Sequence, residues 1–153
     1  MFGSLAGVYD RFMYDADYDK WFAGVLGLIK SVCPTAREGL DAACGSGTFT
    51  LKLADAGYRM TGSDISEEML SEALQKGKGR AGFIRQDLND IRLNRPVDFI
   101  TILCDGVNYV TEGLSFRSAY DALNPGGVLI FDISSEYKLS EIIGNNTFSD
   151  DCG

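Results

Sequence analysis

The sequence predicts a doubly wound α/β fold with a mostly parallel sheet. Short apolar segments, typical of buried strands, alternate five times with segments of helical or turn character. The fourth strand-like segment, VDFITILC, is apolar on consecutive residues, as expected for a strand that is covered on both faces. The length of 153 residues suits a single domain, with N-terminal helices over 1–34 and an α/β core over 35–153.

The predicted elements follow one another in a regular order. Two helices come first, at 8–14 and 17–33, and Pro34 ends the second. Ser66 is the predicted N-cap of a later helix that has acids at its next two positions. The predicted strands span 38–43, 59–65, 81–88, 97–104 and 126–134. The other predicted helices span 48–56, 66–77, 112–123 and 136–143.

Composition excludes several classes of function. The net charge of −8 disfavours a nucleic-acid partner, and no apolar run approaches the ~20 residues of a membrane span. The start of the chain lacks the basic region of a signal peptide, and the four cysteines form no Cys-x-x-Cys pair. We therefore expect a cytoplasmic protein with reduced thiols and no metal. The absence of histidine removes Ser-His-Asp and Cys-His catalysis.

Glycines and acids follow the predicted strands, where parallel sheets bind their ligands. Gly45 and Gly47 follow the first strand, in the segment LDAACGSGTFT. Asp64, Asp87 and Asp105 follow the second, third and fourth strands. Each feature alone is more often a turn or a helix cap. Together they predict a nucleotide-like pocket, in which the second-strand acid accepts ribose hydroxyls and the third-strand acid accepts an exocyclic amine.

The motifs as a set resemble those of class I S-adenosylmethionine-dependent methyltransferases. The segments that carry the resemblance are LDAACGSGTFT, GSDISEEML, RQDLND, DFITILCDGVNYV and LNPGGVLIFDIS, and it covers about residues 5–140. VYDRFMYD and the segment from NPGGVLIFDIS onward resemble a bacterial subgroup of small, poorly characterised methyltransferases. The corresponding fold is a Rossmann-like sheet with strand order 3-2-1-4-5 and helices on both faces.

The resemblance implies a site for S-adenosylmethionine. Asp41, Ala43, Gly45 and Gly47 would surround the methionine part of the cofactor, and Asp64 would take the ribose diol. The family usually has glycine where this chain has Ala43. Because alanine is small, we expect little harm from that departure.

The adenine and the open side of the cofactor are assigned in the same way. Ile65 would lie against the adenine, Asp87 and Leu88 would meet its edge, and the Cys104 carbonyl would face an amino group. Aromatic side chains of the N-terminal helices would cover the cofactor, and packing on the sheet is an equally good interpretation of them. These aromatic residues are Tyr9, Tyr18 and Trp21.

The family's sheet has seven strands, and this chain is expected to stop after the fifth. The strand at 126–134 is apolar on successive residues, as a central strand would be, and it would be left as an open edge. We therefore expect a truncated form that self-associates as a homodimer. The alternative is that the helix at 136–143 covers the edge of its own chain.

The function implied is methyl transfer to an unidentified small-molecule acceptor. Transfer from a sulfonium needs alignment more than proton transfer. If the acceptor must lose a proton, Asp105 is the candidate base, with Asn108 or Tyr109 orienting it. Two alternatives stay open: a cofactor-binding module without activity, and an NAD-dependent oxidoreductase. The second fits less well, because Thr50 stands where the third fingerprint glycine belongs.

Overall fold

A computed structural model describes residues 18–104, 106–109 and 116–133. The predicted helices at 8–14 and 136–143 lie outside these ranges, as do residues 112–115. A 3₁₀ turn spans Gly106–Tyr109. The elements are α1 (Tyr18–Val32), β1 (Glu38–Ala42), α2 (Thr48–Asp55), β2 (Arg59–Asp64), α3 (Glu67–Gly77), β3 (Gly82–Arg85), β4 (Val97–Ile102), α4 (Arg117–Asp121) and β5 (Leu123–Phe131).

The strands form a parallel sheet in the order β3-β2-β1-β4-β5, which confirms the predicted fold class and strand order. The central strand β1 pairs with β2 on one side and with β4 on the other. Asp41 of β1 is in register with Gly62 of β2 and Thr101 of β4, so the ends of these strands lie at one edge of the sheet. Among the described residues, no helix has the length and hydropathy to cross a membrane.

Several predicted strand boundaries differ from the structure. β3 ends at Arg85 and β4 at Ile102, so the acid and the cysteine expected at their ends follow the strands. β5 begins at Leu123 instead of 126 and ends at 131. Pro125 and the glycines after it made this segment resemble a turn. Proline is tolerated in β5 because this strand pairs, among the described residues, only with β4.

Two apolar layers cover opposite faces of the sheet, because successive strand residues point to opposite sides. In β4, Phe99 faces α1 and α2, whereas Ile100 faces α4. The buried residues of the first layer are Val25, Ile29, Phe49, Leu53, Met60, Phe99 and Leu103. Those of the second are Leu40, Ala42, Ile91, Val97, Ile100, Ile102, Ala119 and Ala122.

Asp98 joins three segments at the amino end of the sheet. One carboxylate oxygen accepts hydrogen bonds from the backbone N–H groups of Arg37 (2.7 Å) and Glu38 (3.0 Å), and the other accepts from Nδ2 of Asn124 (2.9 Å). The backbone donors, Arg37 first, lower the pKa of Asp98 because they stabilise its charged form. The entries to β1 and β5 are thus fixed to β4.

Candidate functional site

Asp64 connects the turn after β1 with the start of α3. Its Oδ2 accepts the N–H of Gly45 at 2.8 Å, and its Oδ1 accepts the N–H of Ser66 at 2.9 Å. Ser66 is the N-cap of α3, as predicted, because its Oγ accepts from the N–H of Met69. An ionised carboxylate offers about four lone-pair positions. Each oxygen of Asp64 therefore retains the capacity to accept a ligand hydroxyl.

The two glycines of the turn have different surroundings. Both adopt the left-handed conformation, with φ of 53° at Gly45 and 77° at Gly47. A Cβ built on Gly45 would have no atom within 4 Å apart from its chain neighbours. A Cβ on Gly47 would lie 2.8 Å from the ring of Phe83 and 2.9 Å from the Cβ of Ala73. The first glycine therefore borders open space near Asp64, and the second is required by packing.

Asp41 lies beneath this turn and is almost completely buried, with 2% of its surface exposed. Its oxygens accept hydrogen bonds from Oγ1 of Thr50 at 2.6 Å and Oγ1 of Thr101 at 2.9 Å. The pKa of Asp41 is raised to about 6, mainly by burial and to a smaller extent by the charge of Asp64, although the hydrogen bonds from both hydroxyls oppose the shift. The carboxylate links β1, β4 and α2 and is not exposed at the surface.

Sequence reasoning assigned no role to Thr50 and Thr101. Thr101 is the single hydroxyl residue in the apolar segment FITIL, and both threonines are fully buried. A buried carboxylate needs donors, and buried threonines on neighbouring elements supply them. An acid inside the first strand was therefore a signal to look for hydroxyl residues at facing positions.

Two residues with side chains adopt the left-handed conformation at the carboxyl edge of the sheet. Ala43 and Cys104, which follow β1 and β4, both have φ of 58°. A left-handed residue other than glycine costs of order 1 kcal/mol, and such residues cluster at functional sites. The Cβ of Ala43 also lies against Gly106, where an added Cβ would be 3.2 Å away. The departure from glycine at position 43 thus bears on backbone conformation as well as on size.

The predicted aromatic cover packs against α2. Tyr18 and Trp21 contact the ring of Phe49, with centroid distances of 5.9 and 5.2 Å, and both belong to the apolar layer on that face. The hydroxyl of Tyr18 lies 3.7 Å from Sγ of Cys104. Both residues therefore pack on the sheet as the alternative interpretation had it, and Tyr18 reaches its carboxyl edge. Contact with a cofactor stays a prediction.

The residues assigned to adenine have varied environments. Ile65 follows β2 with 61% of its surface exposed, and Leu88 packs partly against the apolar layer on the α4 face. The Asp87 carboxylate is exposed, and its Oδ1 accepts the N–H of Asn89 at 2.7 Å. An open surface depression of about 520 Å³ lies beside β3, and Asp87 is the one residue assigned to the cofactor that lines it. Its lining residues are Ile84, Arg85, Gln86, Asp87, Asp90 and Arg92.

Two predicted site residues, Tyr9 and Asp105, lie outside the described residues.

Burial raises the pKa of the Cys44 thiol, and the charges of Asp41 and Asp64 add to the effect. This thiol therefore stays protonated and is no nucleophile at neutral pH. Within the described ranges, no group of three or more acidic or cysteine side chains is arranged to hold a metal ion.

The chain is similar to methyltransferases in sequence and structure. The family profile described as "Methyltransferase domain" matches residues 40–127, more than half of the chain. "Putative methyltransferase YqeM" of Bacillus subtilis (strain 168) is 36% identical over 98% of this chain and 62% of that protein. The Streptomyces venezuelae dTDP-3-amino-3,4,6-trideoxy-alpha-D-glucopyranose N,N-dimethyltransferase is 33% identical over 83% of this chain and 56% of that protein.

A solved structure agrees with these relatives. The crystal structure of an S-adenosylmethionine-dependent methyltransferase from Clostridium acetobutylicum ATCC 824 has a TM-score of 0.83 and 34% identity, over 98% of this chain and 65% of that one. This chain therefore spans less than two thirds of the length of each of these three proteins. All three are named as methyltransferases, so the comparisons give no support to an oxidoreductase or to a binding module without activity.

Proposed function

This chain belongs to the S-adenosylmethionine-dependent methyltransferase family, and from that premise we propose that it methylates a small-molecule acceptor. The observation that carries the proposal is the geometry around Asp64. A carboxylate stands next to a glycine turn, and Gly45 leaves open space beside the main chain. This arrangement fits a ribose diol on the carboxylate and a close backbone approach by the rest of the ligand.

The other residues fit the cofactor in the same way. Ile65 offers an exposed apolar side chain next to Asp64, where an adenine ring would lie. Asp87 has one carboxylate oxygen engaged by Asn89 and can accept from an amine. Asp41 is proposed to act on the methionine part through Thr50 and the turn, since its own carboxylate is buried.

When bound, S-adenosylmethionine supplies a methyl group on a positively charged sulfur. The protein's contribution is to hold the acceptor near that group and in line with it, which needs no general acid. A chain without histidine can therefore perform this function. Asp105, the residue after Cys104, stays the proposed base for an acceptor that must lose a proton, and Tyr9 stays a proposed part of the cover.

The acceptor class is inferred from the relatives. One of them is named as an N,N-dimethyltransferase of a nucleotide-linked amino sugar. We therefore propose a small molecule with an amine group as the acceptor. The acidic composition gives no support to a nucleic-acid acceptor.

Calorimetry with S-adenosylhomocysteine tests the site. A carboxylate that accepts ribose hydroxyls contributes roughly 1.5–3 kcal/mol per charge-assisted hydrogen bond. We expect Asp64→Ala to weaken binding at least about tenfold. Asp64→Asn keeps the size of the side chain and one acceptor oxygen, and it replaces Asp64→Ala in the binding measurement if the alanine variant is unstable.

Glu68→Ala is the matched control, because it removes an exposed acid from the start of the same helix. Its affinity should equal that of the unmodified chain. Unchanged affinity in both Asp64 variants, or thermal stabilisation by NAD instead of S-adenosylhomocysteine, would contradict the proposal.

Self-association along β5 is a separate proposal. Phe131 and Ile133 expose 44% and 65% of their surfaces, and β5 pairs only with β4 among the described residues. An open apolar strand edge pairs readily with another chain. Light scattering at micromolar concentration should show a dimer that Ile133→Lys dissociates, and a monomer at all concentrations would refute this proposal.

A further inference from the structure

Lys76 joins the last turn of α3 to the glycine turn that follows β1. Its Nζ donates hydrogen bonds to Oγ of Ser46 at 2.9 Å and to Oγ1 of Thr48 at 3.1 Å. These two hydroxyl residues stand on either side of Gly47, whose backbone is left-handed. Ser46 is buried, with 3% of its surface exposed, so the ammonium group reaches into the base of the turn.

The glycine turn is therefore held from both ends of one helix. At its start, α3 presents the N–H of Ser66 to Asp64, which also accepts the N–H of Gly45. At its end, α3 presents Lys76 to the hydroxyls that flank Gly47. The middle of the helix also touches the turn, because an added Cβ on Gly47 would lie 2.9 Å from Ala73.

The two attachments differ in what a ligand does to them. In the proposed function, Asp64 shares its oxygens with the ribose hydroxyls, so the cofactor draws on the same carboxylate that holds Gly45. The hydrogen bonds of Lys76 go to the side chains of Ser46 and Thr48 and do not involve the Asp64 carboxylate. They fix the backbone on the far side of Gly45 whether or not the carboxylate is shared.

We propose that Lys76 is a positioning residue, which holds the turn at 45–48 in its cofactor-binding conformation before the cofactor arrives. The inference rests on the proposed function at this turn. A turn that is ordered in advance loses less conformational entropy on binding, so its ligand binds more tightly. Lys76 itself need not contact the cofactor.

The test compares Lys76→Met with Lys76→Arg, and uses Lys78→Met as the control. Methionine keeps most of the side chain's length without its donors, arginine keeps the donors, and Lys78 is an exposed lysine two residues further on. In the cofactor-free chain we expect amide hydrogen exchange at 45–48 to be about tenfold faster in Lys76→Met, with the core strand at 99–102 unchanged. Exchange in the control should match that of the unmodified chain.

Affinity is the second measurement. We expect Lys76→Met to bind S-adenosylhomocysteine about fivefold to tenfold more weakly, and Lys76→Arg to recover to within about twofold. Ser46→Ala combined with Lys76→Met should be no weaker than the worse single variant, because both remove the same bond.

The outcomes separate this inference from the proposed function. Unchanged exchange at 45–48 in Lys76→Met would overturn the role of Lys76, whether or not the chain binds the ligand. Faster exchange at 99–102 to the same degree would show a general loss of stability and would also overturn it. Failure of the unmodified chain to bind would refute the proposed function instead.

Discussion

Two aspartates on adjacent central strands, Asp98 at the amino end of the sheet and Asp41 near its carboxyl end, have opposite electrostatic environments. Asp98 accepts two backbone N–H groups, which lower its pKa. Asp41 is withdrawn from water with two hydroxyl donors, and its burial raises its pKa to about 6. The first is stabilised in its charged form, and the second is destabilised in that form.

The difference shows that the residues at the amino end of the sheet stabilise the fold, whereas those at the carboxyl end include groups that cost stability. At the amino end, backbone donors satisfy a partly exposed acid and fix the entries of the strands. At the other end, a buried acid lies near the charge of Asp64, and Ala43 and Cys104 have left-handed backbones. Left-handed backbone and buried acids with a raised pKa are features of functional sites, and in this chain both occur at the end of the sheet where the fold predicts a ligand.

The largest expected effect is on the pH dependence of stability. The pKa of Asp41 is about 6 in the folded chain, above the ordinary value of 3.8. Its contribution to stability is therefore full below pH 3.8 and is lost as the pH rises through 6. Asp41→Asn removes this titration, so relative to that variant the unmodified chain should lose about 2 kcal/mol of unfolding free energy between pH 4 and pH 8. Urea denaturation at several pH values measures the difference.

Asp98→Asn is the matched variant at the other end. The pKa of Asp98 is lowered, so its contribution is present above the ordinary pKa and is lost as the pH falls. Relative to Asp41→Asn, the unmodified chain should therefore lose unfolding free energy as the pH rises. Relative to Asp98→Asn, it should lose unfolding free energy as the pH falls. Parallel curves would mean that the two ends do not differ as described.

A smaller effect tests the backbone strain at the carboxyl edge. Ala43→Gly relieves a left-handed alanine, and the gain exceeds the added freedom of the unfolded chain, so we expect about 0.5–1 kcal/mol of stabilisation. Ala42→Gly is the control one residue earlier, in the buried strand β1, where it should destabilise by a similar amount. Thermal unfolding measures both variants, and equal signs would argue against strain at position 43.

Much of the fold was predictable because strands buried on both faces carry a simple pattern. β4 is apolar at four of its six residues, and the order of the strands was implied by the family resemblance that the motifs carry. The start of β5 was not predictable. Asn124, Pro125 and Gly126 have the composition of a turn, and only the pairing of Leu123 with Val97 shows that the strand begins before them.

The part of the site that directly follows the strands was predictable, because the ends of parallel strands lie at one edge of the sheet. Asp64, Gly45 and Gly47 follow strands whose ends share one edge, so their neighbourhood could be inferred. Lys76 could not be found this way, because its bonds to Ser46 and Thr48 join residues 30 and 28 positions apart and depend on how α3 packs. The left-handed backbone at Ala43 and Cys104 depends on how the chain leaves β1 and β4, and it could not be predicted from the residue types alanine and cysteine.

The ring of Phe83 has a consequence for how this sequence can change over time. A Cβ added at Gly62 or Gly47 would come within 2.7 or 2.8 Å of that ring, and one at Gly77 within 3.1 Å. The mutational freedom of three positions in β2, the turn and α3 therefore depends on a fourth position in β3. A smaller side chain at position 83 would relieve the ring contact at Gly62 and Gly77, so we expect alanine at those positions to occur together with a smaller residue at 83. At Gly47, the Cβ of Ala73 at 2.9 Å and the left-handed backbone oppose an alanine even then. Because packing requires Gly47, we expect this glycine to persist even in a related chain that no longer binds a ligand.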